Sequence, residues 1–207
     1  MRISLSDLGK RYNREWIFRH LNYEFEQQHR YAITGSNGSG KSTFMQILSG
    51  TIHHSEGKIV HRFNKQNIDP EKIFHLVSFS APYIEIPDEF NFQEILAFHF
   101  RFKKVRNNCS HEEIIDLSGL KKSAGKQIRY YSSGMKQRVR LCLSFFADTP
   151  LLLLDEPCTN LDASGISWYK EMMARHTEGR LVIISSNDSQ EYETCNRVLA
   201  MEDFKKI

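Results

Sequence analysis

Eight consecutive residues carry the densest chemistry in this 207-residue chain: Gly35-Ser36-Asn37-Gly38-Ser39-Gly40-Lys41-Ser42. A glycine, four residues and then Gly-Lys-Ser is the spacing of a loop that wraps phosphate oxygens. Its glycines let backbone N–H groups converge on one anion, and the helix that follows adds positive potential at its N-terminus. Lys41 is placed to reach β- and γ-phosphates, Ser42 to ligate Mg²⁺ through its hydroxyl, and Thr43 continues the same turn. The second half of such a site is Leu151-Leu152-Leu153-Leu154-Asp155-Glu156. A buried strand ending on a carboxylate sets Asp155 to hold a Mg²⁺ shell, and Glu156 to polarise an attacking water. Alone, an apolar run followed by Asp-Glu is an ordinary strand end. Paired with the loop, it makes a hydrolytic site.

These residues need elements to position them. Residues 2–8 and 16–25 read as β, with Ile17, Leu21, Tyr23 and Phe25 largely on one period-2 face. Residues 31–33 form a short apolar strand running into the glycine loop. From 41 to 49 the pattern is helical, with Gly50 as a stop. Residues 82–147 have a different texture. Phe92, Ile95, Leu96 and Phe100 recur at helical spacing, Ser110 and Glu113 suggest a capping box, and another helix carries Val139, Leu141, Cys142, Phe145 and Phe146. Residues 151–154 and 181–184 are unbroken apolar runs, as expected of central parallel strands, with a helix marked by Ile166, Tyr169, Met172 and Met173 between them. The expected architecture is a single α/β domain, its core formed by about 1–81 and 148–207 and interrupted by a helical subdomain at about 82–147.

The bulk properties narrow the function. A formal charge of +3 is too small to argue for nucleic acid. Cys109, Cys142, Cys158 and Cys195 form no C-x-x-C pair, so a reducing compartment fits better than a disulfide framework or a zinc site. His53, His54 and His61 are read as a solvated loop beside Ser55-Glu56-Gly57 rather than a metal cluster. No apolar leader segment and no membrane-spanning run is expected. Any membrane role would then work by docking.

Tyr131-Ser132-Ser133-Gly134-Met135-Lys136-Gln137-Arg138, shortly before the Asp155-Glu156 strand, resembles the signature of the ATP-binding cassette family. That family usually reads Leu-Ser-Gly-Gly-Gln there, so Ser132 and Gly134 match. Asn160-Leu161-Asp162 is similar to its D-loop, and the ordered set covers nearly the whole chain. The resemblance implies a P-loop NTPase core, a mixed sheet with an N-terminal antiparallel part, and ATP and Mg²⁺ as cofactors. It implies an ATP-dependent head-to-tail dimer, in which Ser132 and Gly134 face the partner's γ-phosphate. Tyr12 stands where the family stacks an aromatic ring on adenine; an ordinary packed tyrosine is the alternative. The short length resembles exporter-type cassettes, including haem-exporter subunits. This implies a transmembrane transporter subunit as partner, a cytoplasmic, membrane-peripheral location and no nucleic-acid ligand. A soluble clamp on nucleic acid or ribosomes, and a nucleotide-gated module with little ATPase activity, are the competing readings.

Two departures from the family pattern bear on rate. After the strand at 76–79 the family's glutamine is missing; Ser80-Ala81-Pro82 stands there, and neither Ala81 nor Pro82 offers a side-chain oxygen. After residues 182–186 the family's histidine is replaced by Asn187. Near-normal binding with slow turnover is the expectation. Phe90, Phe92, Phe98, Phe100 and Phe102 should be mostly core, any exposed remainder being available as a groove for a partner's helix.

Overall fold

The computed structural model describes residues 1–205. The chain opens with an antiparallel hairpin, Arg2–Tyr12 (β1) and Glu15–Glu26 (β2). Arg30–Thr34 (β3) then leads through the glycine loop into Lys41–Leu48 (α1), which ends at Ser49 and the left-handed Gly50. Glu56–Phe63 (β4) and the two-residue Gln66–Asn67 (β5) complete a four-stranded sheet in the order β2-β1-β4-β5. Next come Val77–Ser80 (β6), Phe92–His99 (α2), His111–Ser118 (α3), Ser133–Phe145 (α4) and Leu151–Asp155 (β7). Ala163–His176 (α5), Leu181–Ser185 (β8) and Arg197–Ala200 (β9) follow. The second sheet runs β6-β7-β8-β3-β9, every pair parallel. The expected mixture of strand directions is thus divided between two sheets, one antiparallel and one parallel.

β7 and β8 are buried at every position, as their unbroken apolar runs require. Their side chains alternate between two cores. Leu152, Leu154, Val182 and Ile184 pack with residues of α2, α3, α4 and α5. Leu151, Leu153, Leu181 and Ile183 face α1 and the antiparallel sheet through Phe44, Phe18 and Phe25. Each leucine-sized side chain buried this way contributes about 1.5–3 kcal/mol, and the two layers hold the C-terminal ends of β3, β7 and β8 at one edge. The helical segment shares its core with the sheet. α2 and α3 each open on a complete capping box, Asn91 with Glu94 and Ser110 with Glu113, and Ser132 caps α4.

Three expectations shift. In β2 the fully buried residues are Phe18, Leu21 and Phe25, with Ile17 and Tyr23 only partly covered. A left-handed His20 (φ 58°) and the register slip opposite it insert one residue, which exchanges the faces between Phe18 and Leu21. His61 does not lie in a solvated loop: it is buried in β4 with Nε2 2.9 Å from the Leu48 carbonyl. The phenylalanine set divides, Phe92 being core while Phe90, Phe98 and Phe102 are exposed.

Candidate nucleotide site

The phosphate loop joins the C-terminal end of β3, between β8 and the edge strand β9, to the N-terminus of α1. Gly40 caps α1 at φ 99°, and a Cβ there would lie 2.5 Å from Ile17 Cγ2. Only glycine meets both the left-handed backbone and that close approach. Lys41 is 5% exposed, and its ammonium donates to the Gly35 carbonyl at 2.5 Å and the Ser36 carbonyl at 3.2 Å. The charge is therefore drawn back over the loop, where an arriving phosphate can exchange with the carbonyls. The Ser36 N–H donates to Glu202 Oε1, 2.5 Å away beyond β9, and this bond holds the Glu202 carboxyl below its ordinary range. Glu202 ties the loop to the sheet edge, a contact across 166 residues that no local motif announces.

Asn37, Gly38, Gly40, Lys41, Ser42 and Thr43 share a cleft of about 320 Å³ with Glu156 and Ile17. Ser39 points elsewhere; it is buried with an unpartnered hydroxyl. Asn187 reaches the loop, its amide donating to Asn37 Oδ1 at 3.1 Å. Asp155 is 1% exposed at the end of β7, and its Oδ1 is buried with no hydrogen-bond partner. An orphaned hard anionic oxygen, one residue before the Glu156 that shares a cleft with Ser42, suits Mg²⁺. Among the described residues no group of three or more His, Cys, Asp or Glu side chains forms another candidate metal site.

Asp155 Oδ2 accepts from Tyr83 at 3.1 Å. Burial, and next the Asp155 carboxylate, raise the phenol above its ordinary pKa. Tyr83 directly follows the Ser80-Ala81-Pro82 stretch that lacks the family's glutamine, and β6 is the direct neighbour of β7. A hydroxyl-bearing residue just after a strand that borders the carboxylate strand is the signal that could have found it. Removing a hydrogen bond to a charged group costs about 1.5–3 kcal/mol. Tyr83→Phe should therefore melt earlier than the parent in nucleotide-free buffer, with the gap narrowing in saturating Mg-ATP because a bound cation then satisfies Asp155. Calorimetric melting checks this, and an equal gap in both conditions would remove Tyr83 from the site.

Ser132 and Gly134 are not brought to the phosphate loop. They line a second cleft of about 430 Å³ with Asn160, Leu161 and Asp162, and none of its residues belongs to the first. A Cβ on Gly134 would stand 2.7 Å from the Asn160 carbonyl, so α4 begins in contact with the turn after Glu156. Tyr12 sits 47% exposed at the end of β1 with the Lys10 ammonium 4.7 Å from its ring centre. It does not line the phosphate cleft; Ile17 does.

A parallel sheet with a lysine-bearing glycine loop after one strand and a carboxylate pair at the end of the next strand but one defines a nucleoside-triphosphate-binding domain. The family model described as ABC transporter matches residues 18–159, and the chain belongs to that family as an ATP-binding subunit. It is 28% identical over 189 residues to ABC transporter I family member 1 of Arabidopsis thaliana, covering 90% of this chain and 82% of that one. It is 27% identical to an uncharacterized ABC transporter ATP-binding protein of Bacillus subtilis, covering 96% and 92%. Its fold matches that of a dimeric ATP-binding cassette in a post-hydrolysis state bound to ADP and Pi. The TM-score is 0.83 at 20% identity, over 96% of this chain and 93% of the other.

Proposed function

We propose that this chain is the ATP-hydrolysing subunit of a membrane transporter whose spanning segments belong to a separate polypeptide. The observation that carries the hydrolytic reading is the shared cleft, which sets Glu156 opposite Lys41, Ser42 and Thr43. In this reading the N–H groups from Gly38 to Thr43 and the Lys41 ammonium bind the β- and γ-phosphates. Ser42 and Asp155 hold Mg²⁺, which when bound neutralises charge on the phosphate oxygens. Glu156 orients the attacking water and accepts its proton. Asn187 donates toward the γ-phosphate, and Tyr12 covers the adenine. Residues 1–81 and 148–207 act as the core of one domain, with 82–147 as its helical lobe.

The separation of the two clefts supports a head-to-tail dimer, because Ser132 and Gly134 can meet a phosphate only on another copy or a related subunit. No helix among the described residues is long and apolar enough to cross a membrane. A groove of about 420 Å³ between β6 and the helical segment, lined by Phe74, Phe79, Ile86 and Phe98, offers an apolar seat for a helix of the membrane subunit. In this reading the chain works at the cytoplasmic face of the membrane, held there by its partner. Affinity purification from native membranes tests this. A spanning protein should co-purify in constant ratio; recovery with ribosomes or nucleic acid instead would overturn the reading.

The rate is expected to be low for the family. Asn187 carries no charge and cannot protonate, and its amide is partly spent on Asn37. Losing one well-placed charge-stabilising donor costs about 10²–10³ in turnover, of which an amide retains a part. Asn187→His should raise steady-state phosphate release at least about tenfold with ATP affinity unchanged. An unchanged or lower rate would make Asn187 a working part of this site.

A further inference from the structure

Glu156 occupies an unusual backbone position: its φ is +45°, a left-handed conformation that a residue with a Cβ avoids. Something must hold it there. Its own N–H donates to the Ser185 carbonyl of β8 at 2.8 Å, and its carbonyl accepts from the Thr159 N–H at 3.2 Å. The next peptide group is gripped from both ends by side chains. Gln137 Nε2, from the second turn of α4, donates to the Pro157 carbonyl at 2.8 Å. Glu191 Oε1, from the segment after Asn187, accepts the Cys158 N–H at 2.7 Å. That carbonyl and that N–H belong to one planar peptide. Pro157 has its φ locked near −65° by its ring, so clamping this plane restricts where the Glu156 side chain can point.

Both clamping side chains are costly to keep. Gln137 is fully buried, and Glu191 is 6% exposed with Oε2 buried and unpartnered. Burial raises the Glu191 carboxyl above its ordinary pKa, and the nearby carboxylates of Asp188 and Glu156 add to this. Each satisfies a buried backbone group, but Glu191 does so with a carboxylate that is itself expensive to bury. Their shared target is the peptide directly behind Glu156, and they reach it from two elements that each lead to another part of the site. α4 begins at Ser132 and Gly134, and the 186–191 segment carries Asn187.

We propose that Gln137 and Glu191 are positioning residues that clamp the Pro157–Cys158 peptide and so hold Glu156 in its left-handed, cleft-facing conformation. The inference rests on the reading of Glu156 as the group that activates water. Gln137→Leu and Glu191→Leu each remove one jaw. Each should lower kcat for ATP by about 10–100-fold, since a displacement of about 1 Å at a reacting group costs up to about 10²-fold. The KM and the calorimetric Kd for ATP should stay within about twofold, because the phosphate loop is untouched. Glu191→Gln keeps an oxygen for the Cys158 N–H and should recover most of the loss. Nucleotide-free crystal structures of the two leucine variants should show residue 156 leaving the positive-φ region.

Unchanged kcat in both leucine variants would overturn the clamp, as would residue 156 staying near φ 45° in both. So would a parallel loss of kcat, ATP affinity and melting temperature, which marks a merely structural role. If either leucine variant fails to fold, Glu191→Gln and Gln137→Glu replace it. The second sets a carboxylate oxygen against the Pro157 carbonyl and should lower kcat where the first does not; equal rates overturn the proposal. A parent protein that binds ATP but releases no phosphate would instead overturn the hydrolytic reading. The conformation of residue 156 in the variants then still decides the clamp by itself.

Discussion

Lys41→Ala should abolish productive Mg-ATP binding, with Kd rising about 10²–10³-fold in titration calorimetry. The lysine is the one ammonium among the residues lining the phosphate cleft. Charge-assisted hydrogen bonds in such surroundings are worth about 1.5–3 kcal/mol each, and every 1.4 kcal/mol is tenfold in affinity. In the nucleotide-free protein the same ammonium satisfies the carbonyls of Gly35 and Ser36. The variant should therefore also lose roughly 1–2 kcal/mol of stability without ligand, and its melting temperature should cease to respond to ATP. A Kd equal to the parent's would place the nucleotide elsewhere on the chain.

Glu156→Gln is expected to cut phosphate release by about 10²–10⁴-fold, the usual contribution of a positioned acid or base, while preserving ATP affinity. Glutamine keeps the shape of the side chain and removes the charge that polarises water. With hydrolysis blocked, ATP should accumulate between two chains, and light scattering should show a dimer in ATP that is absent without it. The Ser132–Gly134 cleft is separate from the Lys41 cleft. The dimer should therefore vanish when Ser132 is replaced by a bulky residue, although the phosphate loop is intact. A variant that stays monomeric at high concentration in ATP would exclude a self-sufficient homodimer and point to a related subunit as the second half.

Much of this site is legible in the sequence, and for local reasons. Phosphate binding by a glycine loop is a property of eight adjacent residues. The strand before it and the helix after it are set by neighbouring apolar residues and by Gly50. Leu151 to Leu154 could only be a covered strand, so Asp155 and Glu156 had to emerge at its C-terminal end. The Ser110–Glu113 capping box likewise depends on residues three apart.

What was missed depends on which strand lies beside which. The order β6-β7-β8-β3-β9 brings Tyr83 to Asp155 and Asn187 to Asn37, and the segment beyond β9 brings Glu202 to Ser36. No spacing rule encodes a meeting between residues 72, 150 or 166 positions apart. The exchange of Phe18 for Ile17 on the inner face of β2 turned on one left-handed residue, His20, and a bulge has no reliable signature in composition or period. The backbone of Glu156 belongs to the same class. Its residue type and place could be read from the chain, but its positive φ is imposed by β8, by a buried glutamine from α4 and by a buried carboxylate from the Asn187 segment. Local interactions determined which groups the chain offers for the proposed chemistry, because they act between near neighbours in the chain. Only the packed sheet and helices decided where those groups point, because that requires contacts whose entropic cost of closure is met by the folded core as a whole.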